Sequence, residues 1–223
     1  RIKKVGYGTA NMLDGPVMYY KQAVESLEVG IEVLLDEIPV GLDIIATGDM
    51  GIANTTPSSA IIACLTGMEV SRVTGKGTGL DNSGWEKKVR VIEKVLKVNK
   101  PDSLKPLEVL AKVGGFEIGA IAGLCLAAAS RRIPVLIDGF VSTAAALIAT
   151  AIEPKVNGYL IASHISAENG HLIALEKLGK RAIFDLNLRL GEGTGAVLGL
   201  SLVEAGVKIL SQTATFSEAC VSR

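Results

Sequence analysis

The sequence predicts an α/β protein with a doubly wound, Rossmann-like parallel sheet and helices on both faces. From residue 116 onward, short apolar runs alternate regularly with segments of helical periodicity. These runs are continuously apolar, which is typical of parallel strands that are buried on both faces. The chain of 223 residues is 48% apolar, with 23 basic and 23 acidic residues. This composition excludes a disordered chain and suits one domain with right-handed crossovers.

The first half of the chain begins with a helix and a strand. Residues 19–38 carry apolar side chains at helical spacing, and Pro39 ends the pattern. The run 42–46 is short, rich in β-branched residues and followed by Gly48, so it is predicted to be a buried strand.

Two further helix starts are predicted by their capping residues. Pro57 follows Thr56, which predicts a threonine cap with proline at the first helical position and an end at Gly67. The glycine-rich loop 74–81 then precedes Ser83, which has a glutamate three residues later, the pattern of a capping box.

The helix behind Ser83 is predicted to bury Val89, Ile92 and Leu96, with Lys88 away from that face. Later elements follow from apolar runs and their glycine and proline boundaries. They are helices from 101–103 to 114–115 and over 116–131, 142–152, 167–178 and up to about 211, and strands over 133–137, 159–162 and 182–186.

Composition also bears on partners and location. There is no stripe of lysine and arginine, so no nucleic acid is expected as a partner. No uninterrupted apolar run approaches the roughly 18–20 residues of a membrane span, so no membrane is expected either. Cys64, Cys125 and Cys220 are scattered, which suits core positions in a reducing, cytoplasmic compartment and no metal framework.

Ligands of open parallel sheets bind beyond the carboxyl ends of the strands. Four loops there combine glycine, a hydroxyl or carboxylate, and a following helix: 48–56, 138–143, 163–168 and 190–195. Amide groups at helix starts attract anions, so these loops predict a phosphorylated small molecule, although the same residues also serve as ordinary caps. Neither a Rossmann GxGxxG nor a Walker A pattern is present.

Three carboxylates in these loops are candidates for chemistry. Glu192 lies between Gly191 and Gly193, so an enclosed carboxylate with a raised pKa could act as a general base, or it could interact with the helix dipole. Asp49 has the same two interpretations. For Asp138 we expect a cap on the next helix.

Basic groups offer further candidates. His164 is either an acid–base or phosphate-binding group or a hydrogen-bonded structural histidine, and the second is favoured. His171, inside a predicted helix, is a weaker candidate. Lys88 either reaches a phosphate as a point charge or lies on a solvated face.

Taken together, six ordered motifs resemble the nicotinate-nucleotide:dimethylbenzimidazole phosphoribosyltransferase family. They extend over nearly the whole chain: GDMGIANTTP (48–57), GTGLD (77–81), VGGFEI (113–118), PVLIDGFVSTAA (134–145), ASHISAE (162–168) and RLGEGTGA (189–196).

The resemblance implies transfer of the 5-phosphoribosyl group of nicotinate mononucleotide to a benzimidazole-type base such as 5,6-dimethylbenzimidazole. Nicotinate leaves, and the product is an α-ribazole 5′-phosphate for the nucleotide loop of cobamides. No metal or other cofactor is implied. The family's catalytic glutamate falls on Glu192, with Asp49 as a second carboxylate, and the substrate contacts fall on Gly51, Gly77, Lys88, Ser166, Leu190 and Gly191.

The resemblance also implies an organisation. Residues 1–223 correspond to the large domain of the family, without the N-terminal part of its small domain, which contributes to the base pocket. A cytoplasmic homodimer is expected. Because Asp49 and Ala53 replace a glutamate and a glycine of the family motif, the second carboxylate, the choice of base or the activity could differ. The alternative is a non-catalytic nucleotide-binding or regulatory subunit of the same fold. An NAD-dependent oxidoreductase is disfavoured because the dinucleotide fingerprint is absent.

Overall fold

A parallel sheet organises the computed structural model, which describes residues 1–77 and 79–220. Its strands are β1 (Ile45–Ala46), β2 (Val135–Ile137), β3 (Leu160–Ala162), β4 (His164–Ser166) and β5 (Phe184–Leu188). All pairings are parallel, in the orders β1-β2-β3 and β4-β5. Ser163 interrupts β3 and β4, but the Phe184 amide donates to the Ser163 carbonyl at 2.9 Å, so the two pieces follow one strand path.

Nine α-helices surround this sheet within the described ranges. They are α1 (Tyr20–Glu37), α2 (Thr55–Thr66), α3 (Val70–Val73), α4 (Asn82–Asn99), α5 (Pro106–Val113), α6 (Phe116–Ser130), α7 (Phe140–Ile152), α8 (Gly170–Leu178) and α9 (Thr194–Gln212). Short 3-10 turns occupy 38–40 and 154–159.

The two faces of the sheet are covered unequally. Val135 and Ile137 of β2 belong to the main core, which also takes residues from α1–α8. Leu136 points the other way and packs on Gly199 of α9, where an added Cβ would lie 2.7 Å from the leucine Cδ2. Alternation along one strand thus places helices on both faces. The predicted α/β fold with a parallel sheet is confirmed.

Several predicted boundaries are wrong. Asn54, rather than a threonine, is the N-cap of α2, so Pro57 is its third residue. Asp81, rather than Ser83, caps α4 by accepting the Gly84 amide at 2.7 Å. Helix α5 begins at Pro106 because Asp102 first forms a turn, its carboxylate accepting the Leu104 amide at 3.0 Å.

Other differences concern burial. The strand predicted over 42–46 is only the two half-buried residues of β1. Cys125 is buried and Cys64 half-buried, as expected of core residues, but Cys220 is exposed. Lys88, predicted to face away from the core, lies on the buried face of α4 because it precedes Ile92 by one helical turn.

Helix α9 departs from the expectation that no segment could span a membrane. By length and composition alone, α9 is long and apolar enough to cross a membrane, with a mean hydropathy of 1.4 over 18 residues. This property of the helix was not expected because Glu204 and Lys208 interrupt its apolar run. The two side chains form an ion pair at 2.6 Å. Only 17% of that window is buried, through a stripe of small residues that faces the strands. Its inner side contacts β1, β2, β4 and β5.

Candidate active site

A cleft of about 270 Å³ opens at the carboxyl ends of the strands. The loops after β1, β2, β4 and β5 all reach it, and a neighbouring hollow of about 410 Å³ shares part of its wall. Seven of the eight predicted site residues line the cleft: Asp49, Gly51, Gly77, Ser166, Leu190, Gly191 and Glu192. The eighth, Lys88, lies directly behind this wall. The structure therefore brings the predicted site residues together.

The loop that carries Glu192 has an unusual backbone. Gly191, Glu192 and Gly193 all have positive φ, at 77°, 58° and 80°. This left-handed conformation costs a glutamate about 1–2 kcal/mol, so surrounding contacts must hold it. One of these is the Glu192 amide, which donates to the Asp49 carbonyl at 3.1 Å. The Glu192 side chain is exposed, so the described residues do not enclose it as the sequence analysis expected.

Asp49 orders its own loop. Its carboxylate accepts the Gly51 amide at 3.1 Å and the Asn54 side-chain amide at 2.9 and 3.0 Å. The Gly51 amide is thus directed at Asp49 rather than towards the cleft. The Asp49 carboxylate thus accepts three hydrogen bonds and shapes the start of α2. Of the two predicted catalytic carboxylates, Glu192 is therefore the less constrained by hydrogen bonds.

Glu117 is a third carboxylate near this loop that the sequence analysis did not single out. Burial raises its pKa, the Asp49 carboxylate raises it further, and a hydrogen bond from Asn54 acts in the opposite direction. It lies in the first turn of α6, within the motif VGGFEI.

Lys88 is placed to contact an anion near Gly77. Its Nζ donates to Thr55 Oγ1 at 2.7 Å and to the Gly75 carbonyl at 3.3 Å. Burial lowers the pKa of this lysine, and the Glu168 carboxylate opposes that shift. Gly77 has φ of 57°, and an added Cβ would lie 3.2 Å from Thr55 Oγ1, so both the backbone conformation and the space favour glycine at this position.

Two further charged residues line both the cleft and the neighbouring hollow: Glu168 and Arg189. Among the residues the structure describes, the buried Oε2 of Glu168 has no hydrogen-bond partner. Arg189 directly precedes the loop that carries Glu192. Neither residue was predicted from the sequence to have a role, although a basic residue beside a predicted phosphate-binding loop is a recognisable signal.

Ser166 is held through a fully buried histidine. The Ser166 amide donates to His171 Nδ1 at 2.8 Å, so the ring proton is on Nε2, which lies 2.8 Å from Thr143 Oγ1. That hydroxyl in turn donates to the Gly139 carbonyl at 2.9 Å. Burial, with a smaller contribution from His164, lowers the pKa of His171 to about 3. His171 is therefore a neutral structural residue.

Asp138 caps a helix other than the expected one. Its carboxylate accepts the Gly193 amide through Oδ2 and the Ala196 amide through Oδ1, both at 3.1 Å. It therefore caps α9 rather than α7, because the sheet brings the ends of β2 and β5 to one edge. His164 Nδ1 lies 3.6 Å from Asp138 Oδ1 and 3.1 Å from Ser163 Oγ. Burial lowers the pKa of His164, although Asp138 opposes the shift, which supports the structural interpretation of this histidine.

In residues 1–77 and 79–220 there is no group of three histidine, cysteine or acidic side chains that could hold a metal. Thr78, within the motif at 77–81, lies outside the described residues. The chemistry that the cleft offers is that of carboxylates, a buried lysine, an arginine and helix amides.

The parallel sheet and the loops gathered at its carboxyl edge define a Rossmann-like phosphoribosyltransferase fold. A family model described as Phosphoribosyltransferase matches residues 1–221. The chain belongs to the nicotinate-nucleotide:dimethylbenzimidazole phosphoribosyltransferase family, which confirms the resemblance seen in its motifs.

Similar proteins carry that name in full. A nicotinate-nucleotide–dimethylbenzimidazole phosphoribosyltransferase of Desulforudis audaxviator is 58% identical over 221 residues, which are 99% of this chain and 63% of the relative. One of Roseiflexus sp. is 54% identical, over 99% of this chain and 62% of its own length. The crystal structure of CobT from Thermus thermophilus superposes with a TM-score of 0.94 at 42% identity, covering 100% of this chain and 66% of that one. The chain thus spans slightly less than two thirds of these relatives.

Proposed function

We propose that the protein containing this chain transfers the 5-phosphoribosyl group of nicotinate mononucleotide to a benzimidazole-type base. The products are nicotinate and an α-ribazole 5′-phosphate, an intermediate for the nucleotide loop of cobalamin. The observation that carries this proposal is the convergence of the predicted site residues on one cleft. The names of relatives more than 50% identical to the chain support it.

The reaction exchanges one C–N bond for another. A ring nitrogen of the base attacks C1′ of the ribose with its lone pair while the bond from C1′ to the pyridinium nitrogen breaks. The bonding electrons go to nicotinate, which leaves as a neutral pyridine ring. The other ring nitrogen of the base loses its proton, and in-line attack converts the β-linkage to α.

Seven of the eight predicted residues have a part in this scheme, and the eighth, Asp49, orders the loop that carries Gly51. Glu192 accepts the proton of the incoming base, since a positioned carboxylate can act as a general base. Lys88, Gly77, Gly51 and Ser166 surround the phosphate and ribose, while Leu190 and Gly191 flank the base. Holding both substrates in line supplies much of the rate acceleration. We propose no metal ion and no other cofactor.

We also propose the domain, the oligomeric state and the location in which the reaction takes place. Residues 1–223 form the large, phosphoribosyl-transferring domain, in a cytoplasmic homodimer without nucleic acid or a membrane as partner. The contacts of α9 with four strands support its assignment as a helix of the folded domain rather than a membrane span.

The test is to incubate the protein with nicotinate mononucleotide and 5,6-dimethylbenzimidazole and to separate the products by chromatography. We expect free nicotinate and α-ribazole 5′-phosphate in equal amounts, and no nicotinate when the base is left out. A non-catalytic nucleotide-binding subunit would raise its melting temperature with the mononucleotide but release no nicotinate. That result would refute the proposed function.

A further inference from the structure

Asp138 is a buried charge that the proposed reaction does not use. The residue is only 3% exposed, and it directly follows β2 at the centre of the sheet. Buried carboxylates are costly unless hydrogen bonds satisfy them, so its partners indicate what it does for the protein. Those partners lie 55 and 58 residues further along the chain, at the start of α9.

The Asp138 carboxylate accepts hydrogen bonds from the backbone that follows Glu192. Its two oxygens accept the Gly193 and Ala196 amides at 3.1 Å, and Gly193 is the residue after Glu192. These are amides of the N-cap and first turn of α9, which have no partner within the helix. A bidentate, charge-assisted cap therefore fixes the backbone at the exit of the loop.

The backbone of Asp138 is itself tied to its neighbours. Its amide donates to Thr47 Oγ1 at 3.3 Å, and its carbonyl accepts from Ser163 Oγ at 3.3 Å. Thr47 follows β1 and Ser163 follows β3, so three neighbouring strand ends anchor the carboxylate. The loop of Glu192 thereby takes its position from the sheet rather than from its own flexible glycines.

Two glycines fit the loop closely around this anchor. A Cβ on Gly48 would lie 2.6 Å from both Cα and N of Gly193, and a Cβ on Gly195 would overlap the His164 ring. His164 is buried and lies 3.6 Å from Asp138 Oδ1. The loop that carries Glu192 therefore packs against the backbone at Gly48, the His164 ring and the Asp138 carboxylate.

We propose that Asp138 is a positioning residue for the reaction, which sets where the Glu192 carboxylate meets the incoming base. This rests on the proposed function, since the reaction gives Glu192 its role. Asp138 lies in the wall of the same cleft, but both of its carboxylate oxygens accept amides of α9, so we assign it no direct part in the chemistry. Its effect is on the geometry of Glu192, and misplacement of a catalytic group by about 1 Å can reduce the rate roughly 100-fold.

The test compares the Asp138→Asn variant with the wild type. Both are studied as the full-length protein. Asparagine keeps the volume but offers one acceptor and one amide group, so one of the two α9 amides loses its acceptor. We expect kcat to fall about tenfold or more while KM for nicotinate mononucleotide stays within about twofold. Asp102→Asn, at a turn distant from the cleft, is the matched control and should change neither constant.

A double-mutant cycle separates positioning from general destabilisation. If Asp138 acts through Glu192, Asp138→Asn should reduce the residual activity of Glu192→Gln by less than about twofold, because there is no general base left to misplace. An equal loss in both backgrounds overturns the proposal.

Hydrogen exchange on the wild type provides a measurement that needs no variant. The Gly193 and Ala196 amides should be strongly protected, and free exchange at both overturns the cap and the proposal with it. The proposed function is tested separately by the wild-type turnover. An inactive wild type refutes the reaction, whereas an active wild type with an equally active Asp138→Asn variant refutes only the positioning role.

Discussion

Replacing Lys88 with methionine tests the proposed phosphate-binding role of this lysine most selectively. Methionine keeps an unbranched chain of similar length in the buried face of α4 but removes the ammonium group that lies 2.7 Å from Thr55 Oγ1. A hydrogen bond to a charged group contributes about 1.5–3 kcal/mol, so KM for nicotinate mononucleotide should rise roughly 10- to 150-fold. We expect this contact to be made equally in the ground and transition states, so kcat should change little.

Protein stability provides the internal check on Lys88→Met. Burial lowers the pKa of Lys88, so the unfolded state binds more protons between that lowered pKa and the ordinary 10.5, and stability rises with pH across this window. Removing the charge should therefore not destabilise the fold, and urea unfolding at neutral pH measures this. Lys87→Met, on the exposed side of the same helix, is the control. Equal KM values for the two variants would refute the role of Lys88.

Three further predictions concern stability. Asp81→Ala removes the cap of α4 and should cost about 0.5–2 kcal/mol in urea unfolding, whereas an unchanged midpoint would contradict the 2.7 Å bond to Gly84. Stability should fall as pH drops from 6.5 towards 3, because His171 has a pKa of about 3 when folded and the unfolded chain takes up its proton first; His171→Gln should flatten this decline, and an equally steep decline would contradict it. Ala53 has a φ of 70°, so Ala53→Gly should stabilise the protein by up to about 1 kcal/mol in the same assay, and a loss of stability would contradict the strain.

The fold was predictable because its signals are local. Apolar runs and their glycine boundaries predicted β2, β3 and β5 to within a few residues, whereas β4 lies in a segment that was predicted to be a loop. The end of α2 at Gly67 was also predicted, because the residue that ends a helix in the left-handed conformation is usually glycine. The starts of α2 and α4 were not, because several polar residues compete for each cap and loop geometry decides between them.

The candidate site was predicted as a set of loops, and the structure adds how they interact. The partners of Asp138 could not be predicted from the sequence, because a carboxylate next to a helix start is expected to cap that helix. Only the parallel order of the strands brings it to Gly193, 55 residues away. The same holds for Lys88, whose burial depends on how α4 packs. Enclosure of Glu192 was expected from its flanking glycines, but glycines only permit a close approach and do not supply the walls.

The most direct test of the central claim is the turnover of Glu192→Gln with nicotinate mononucleotide and 5,6-dimethylbenzimidazole. Glutamine keeps the shape of the side chain but cannot accept the proton of the incoming base. Positioned general bases contribute about 10²- to 10⁴-fold, so kcat should fall by that factor while the affinity for the mononucleotide, measured by calorimetry, stays the same. If the variant retains more than about a tenth of the activity, the base is another group, and Asp49 becomes the first candidate.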